Sequence, residues 1–141
     1  LTQLHCPKCG LPLDPTRHGD LVFDGQVWCL HCQVYDARLL ESRSISELQS
    51  WTDRICQAFN QEPVRLEHDP AFLPDPQKYW DGATFLLAEA DHGRRSIMLH
   101  PPGHRLVTLC HELAHLFTGQ DHTETWALTF AALTAWVKAR L

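Results

Sequence analysis

The 141-residue chain has little of what marks a membrane, secreted or nucleic-acid-binding protein. No apolar run approaches the roughly 20 residues that span a bilayer. The first residues carry His5, Lys8 and two cysteines where a secretory leader would have an apolar stretch. Positive charge is not in excess: 12 Lys and Arg stand against 17 Asp and Glu, a formal net charge of −5, which argues against a surface built for general phosphate binding. The charges are scattered, so neither an acidic nor a basic tail is present, and there is no repeat or low-complexity tract. Hydrophobic residues make up 44%, enough for an ordinary buried core. The expectation is a cytoplasmic chain without a membrane segment, holding one domain or a small module joined to a compact one. In a reducing compartment its six cysteines read as metal ligands or buried apolar groups rather than disulfides.

Four of those cysteines form two CxxC pairs, Cys6 with Cys9 and Cys29 with Cys32, with nineteen residues between the pairs. Each CxxC lets one tight turn aim two thiolates at a single ion, and the spacing is that of a four-cysteine zinc site. Between the pairs, LVFDGQVW places β-formers on both sides of Asp24-Gly25, a favoured two-residue hairpin turn. Residues 1–43 are therefore expected to form a zinc ribbon, a unit too short to fold on apolar burial alone and dependent on metal for much of its stability. Its charges speak against nucleic acid, since Lys8, Arg17, Arg38 and Arg43 are matched by Asp14, Asp20, Asp24, Asp36 and Glu41. Cys56 and Cys110 have no CxxC partner and are expected to be buried apolar side chains.

Residues 44–141 read as a second, α+β unit. Ser44-Ile-Ser-Glu47 is a capping-box pattern, and Leu48, Trp51, Ile55 and Phe59 follow at helical spacing. A short strand is expected at VRLEH, then prolines 70, 74 and 76 indicate loop. ATFLLAEA (83–90) and RRSIMLH (94–100) read as strands about a turn at Asp91–Gly93. Pro101 and Pro102 end the second strand, and a helix opens near Gly103 or His104 and closes at Gly119. The last helix runs from about Thr123 to Arg140, with Trp126, Phe130, Leu133 and Val137 as its buried stripe.

The helix before Gly119 carries HELAH, residues 111–115. Side chains four apart on a helix are rotated by about 40° and sit roughly 6 Å apart at Cβ, so His111 and His115 can share one ion. Zinc so held would activate water and polarise a carbonyl, and Glu112, one step from His111, could move the proton. A catalytic zinc takes three protein ligands. His122 comes seven residues after His115, just past the expected helix stop. Glu124 is the alternative, from the first turn of the last helix. Asp121-His-Thr-Glu124 has the spacing of a capping box, which would account for Glu124 as a cap; His122 has no such explanation and is the preferred ligand. His100, His104 and Tyr79 are weak candidates for stabilising an oxyanion.

HELAH, a short turn, His122 and then Trp126 four residues later resemble the minimal zincin metallopeptidases, in particular the SprT-like group and its small bacterial relatives. The similarity runs over about residues 45–141 and is strongest over 97–130. It implies a zincin-like core of helix, short mixed sheet, HExxH helix and C-terminal helix. It further implies His111, His115 and His122 as ligands, Glu112 as base, and Arg94–His100 as the strand bordering the cleft. The Gly-Pro-Glu that follows the third histidine in several relatives is absent, and the ribbon precedes the core where it usually follows. A second similarity, of Glu124-x-x-Ala127-x-x-Phe130-Ala131 to the ImmA/IrrE peptidases, would make Glu124 the ligand.

The reading is a zinc-dependent metallopeptidase acting on a peptide or protein substrate, with one catalytic and one structural Zn2+. The rival is an inactive zinc-binding adaptor that works through its ribbon. Both demand the same stoichiometry: metal analysis of the purified chain should give two zinc ions, and a value of one would remove one of the two sites.

Overall fold

The computed structural model describes residues 37–68, 88–100, 103–121 and 123–141, together with four short strands nearer the N-terminus. Those strands pair as two antiparallel hairpins. β1 (Leu4–His5) lies against β2 (Pro12–Leu13), and β3 (Leu21–Phe23) against β4 (Gln26–Trp28), with Leu21 opposite Trp28 and Phe23 opposite Gln26. The second is the hairpin expected within LVFDGQVW. Cys6, Cys9, Cys29 and Cys32 lie outside the described residues, as do Tyr79 and His122.

Among the described residues the remainder is an α+β layer structure of four helices and a three-stranded mixed sheet. Helix α1 (Ala37–Leu40) is a single turn, and its Leu39 is fully buried in the main core although it precedes the boundary expected at Arg43. The Arg43 guanidinium binds the Arg38 carbonyl (2.8 Å) and Glu47 (2.8 Å), tying that turn to the next helix. Helix α2 (Ile45–Ala58) starts where the sequence indicates: Ser44 is the N-cap and its hydroxyl accepts from the Glu47 amide at 3.1 Å. It buries Leu48, Trp51, Thr52, Ile55 and Cys56, while Phe59 of the expected stripe is the C-cap and half-buried.

Strands β5 (Arg65–His68), β6 (Ala88–Asp91) and β7 (Ser96–Leu99) are ordered β5-β7-β6, with β5 parallel and β6 antiparallel to β7. The registers put Leu66, Ile97, Leu99 and Ala88 on one face, all buried in the same core as the helices. Glu67, Glu89 and Met98 occupy the other face. The free side of β5 is closed by a side chain. Gln49 on α2 accepts from the Leu66 amide (2.8 Å) and donates to the Val64 carbonyl (3.0 Å), as a neighbouring strand would.

Helix α3 (Leu106–Thr118) and helix α4 (Glu124–Lys138) pack against each other, and α3 also crosses β6. Helix α3 opens at Arg105, two turns of backbone hydrogen bonding after His100, rather than at Gly103 or His104. Leu106, Leu109, Cys110 and Leu113 have no exposure, and α4 buries Trp126, Phe130, Leu133 and Val137 as its stripe requires. Cys56 and Cys110 are buried free thiols, and burial pushes the Cys110 thiol up to about 12. No helix among the described residues is long and apolar enough to cross a membrane.

Gly119 ends α3 in the left-handed region at φ 65°, its amide bonded to the His115 carbonyl at 2.9 Å. An added Cβ there would meet nothing within 4 Å, so substitution costs conformational strain alone. Gly119→Ala should lower the unfolding free energy by about 1 kcal/mol, read as a lower urea midpoint with an unchanged m-value, and Gly119→Asn by less. Equal losses for both would show that something other than the backbone angle sets the cost.

Candidate functional site

HELAH occupies the last two turns of α3, on the side facing α4 and the end of β6. The helical rise brings His111 and His115 together, with their Nε2 atoms 3.2 Å apart and ring centroids at 4.9 Å. His115 is oriented from behind: its Nδ1–H donates to the Gln120 carbonyl at 2.8 Å, which leaves the lone pair on Nε2. Asp121 Oδ1 lies 4.0 Å from the same Nδ1. The Gly119 reversal makes both contacts possible, because it folds residues 120 and 121 back over the end of the helix that bears His115. That end also carries the negative pole of the helix dipole, which favours a cation there.

Glu112 points into a cavity of about 320 Å³ lined by Ala90, His92, His115, Gly119, Gln120 and Asp121. It is only 9% exposed. Burial pushes its carboxyl up to about 7, and the neighbouring negative charges of Glu89 and Asp121 act in the same direction. A carboxyl so placed exchanges protons near neutral pH, unlike the solvated glutamate a surface helix would carry.

Three expectations change. β7, within the Arg94–His100 segment expected to border the cleft, is the central strand, hydrogen-bonded on both sides; β6 is the outer strand, and its Ala90 borders the cavity. The cap of α4 is Thr123 and not Asp121: the Thr123 hydroxyl accepts from the Trp126 amide at 3.3 Å. Glu124 is then the first helical residue, exposed to solvent, and its cap role with Asp121 is not formed. Nor do His100 and His104 reach the cavity. They sit by His68, whose ring is 6.3 Å from that of His104. Burial holds the His104 imidazole below its ordinary pKa, with His68 and His100 adding to the effect.

Among the described residues no three His, Cys, Asp or Glu side chains converge as a metal-holding group. His122, the preferred third ligand, lies outside the described residues, as do the four ribbon cysteines. Not evident from the sequence are the Gln120 carbonyl, which no side-chain pattern can reveal, and the hydrogen bond that the Trp126 indole Nε1–H donates to the His111 carbonyl at 3.2 Å. The latter left a trace, because a buried indole needs an acceptor for its N–H. Comparison with protein-family models, with curated proteins and with solved structures finds no match.

The buried carboxyl predicts a pH-dependent stability. Glu112 ionises near 4.5 when unfolded and near 7 when folded, so its contribution is intact below about pH 4.5 and is lost as pH rises through about 7. In chelator-treated protein, Glu112→Gln should therefore raise the thermal midpoint at pH 8.5, by an amount corresponding to roughly 3 kcal/mol, and leave it nearly unchanged at pH 5. A gain independent of pH would mean that the carboxyl is not desolvated in the fold.

Proposed function

We propose that the chain is a zinc-dependent metallopeptidase whose site is built on His111, Glu112 and His115. The observation that carries this reading is the pairing of two facing imidazole nitrogens with a buried carboxyl on one helix, beside a cavity. The donor set fits zinc. Two imidazole nitrogens at about 2.05 Å from a tetrahedral ion stand about 3.3 Å apart, against the 3.2 Å between His111 Nε2 and His115 Nε2. The Gln120 carbonyl supplies the outer hydrogen bond that histidine ligands of zinc usually have. His122 is proposed as the third ligand, with Glu124 the alternative. The N-terminal CxxC pairs are proposed to hold a second, structural zinc through Cys6, Cys9, Cys29 and Cys32.

Zinc, when bound, supplies Lewis acidity toward the substrate carbonyl and the attacking water. The chain supplies the rest. Glu112 takes a proton from the attacking water and delivers it to the departing amine, a role open to a carboxyl that stands one residue from His111 and faces the cavity. The wall formed by Ala90 of β6 gives an extended peptide a strand to lie along, with backbone groups as partners. The Gly119–Asp121 reversal closes the cavity opposite and holds His115 in its tautomer.

Glu112→Gln should retain both zinc ions and lose about 10²–10⁴-fold in hydrolysis of an unfolded protein substrate; a fully active variant would refute the mechanism. His122→Ala should lose one zinc and Glu124→Ala none, measured by metal analysis. The reverse result would assign the third position to Glu124.

A further inference from the structure

Helix α4 turns two aromatic rings toward the imidazoles of α3. Trp126 has no exposure. Its ring stacks on His115, with centroids 5.3 Å apart and planes inclined by 28°, and meets His111 edge to face at 4.8 Å and 69°. Its indole Nε1–H donates to the backbone carbonyl of His111 at 3.2 Å. Phe130, one turn further along α4, stacks on the indole at 5.2 Å and 6°, and meets His111 edge-on at 5.9 Å. One side chain thus touches both imidazoles and bonds the backbone that carries one of them.

We propose that Trp126 is the positioning residue of this site, holding His111 and His115 in the rotamers that aim both Nε2 atoms at one point and thereby setting the affinity for metal. Two imidazoles on a helix can each swing about two side-chain bonds, and metal binding must overcome that freedom. Here the indole face removes it for His115, together with the Gln120 carbonyl. The indole and phenyl rings remove it for His111. The negative face of an indole also favours an imidazole that has taken on positive charge, as a ligating one does. Trp126 itself touches neither metal nor substrate in this role. The inference rests on the zinc reading of the pair and is tested separately from it.

The test is competition between the full zinc-loaded chain and a chromophoric chelator. The unsubstituted chain is expected to release zinc in two affinity classes, and His111→Ala identifies the histidine class by removing it. Trp126→Leu should weaken that class by about 10–100-fold and leave the other unchanged. Trp126→Phe keeps a ring and loses the N–H, so it should fall between. Leu133→Ala, equally buried on the same helix, should lower the thermal midpoint without moving either affinity. If Trp126→Leu does not fold, the cobalt-substituted Trp126→Phe chain carries the test through its d–d spectrum, which should shift. A histidine class within twofold of the unsubstituted value in Trp126→Leu overturns the proposal, as does an unshifted cobalt spectrum with unchanged affinity in Trp126→Phe. Should His111→Ala remove neither class, the zinc reading itself fails and this inference with it.

Discussion

The burial of helix α3 is the constraint on which the rest of the structure depends. Helix α4 covers one flank, β6 crosses another, and Leu106, Leu109, Cys110 and Leu113 are wholly enclosed. Among the described residues, the cavity between Ala90 and the Gly119–Asp121 reversal gives a helix so held an outlet for polar side chains. Glu112 takes that exit while remaining almost fully desolvated, and its raised pKa follows first from that burial and then from the neighbouring charges of Glu89 and Asp121. The same enclosure presses the imidazoles of His111 and His115 against Trp126, so orientation and burial have one origin.

Such a site is costly. A carboxyl that is charged above neutrality and almost wholly desolvated works against folding, and the fold offsets it with a continuous hydrophobic cluster drawn from all four described helices and from all three strands of the sheet. Leu39 belongs to that cluster, so the core recruits a residue from the segment that leads out of the N-terminal hairpins. The sheet contributes asymmetrically. The Gln49 amide satisfies the free side of β5, while β6 lies at the other margin, beside the carboxyl. One margin of the sheet is thus already bonded, and the other borders the cavity.

Much of this was legible locally. Ser44 and Gly119 mark helix ends by chemistry that acts within a few residues, a hydroxyl accepting an amide and a backbone angle that only glycine adopts cheaply. The stripe of Trp126, Phe130, Leu133 and Val137 follows from helical periodicity. Structure departs from local pattern where two local answers compete. Asp121 and Thr123 are both good caps, and what separates them is the phase that lets Trp126 point at α3, a contact fifteen residues away in sequence. Alternation marks 94–100 as a strand but is silent on its neighbours. Its central place comes from the parallel pairing with β5, whose partner residues lie 31 positions apart.

By itself the sequence determined helices α2, α3 and α4, the ends marked by Ser44 and Gly119, the apolar stripes, and the spacing of His111, Glu112 and His115 along one helix. Those properties depend on spacing along one chain segment, and spacing is what a sequence records. Only the tertiary structure decided that β6 borders the cavity, that Glu112 is desolvated, and that Trp126 and the Gln120 carbonyl orient the histidines. Each of these is a contact between elements, and its energy is set by what surrounds a group rather than by what adjoins it in the chain.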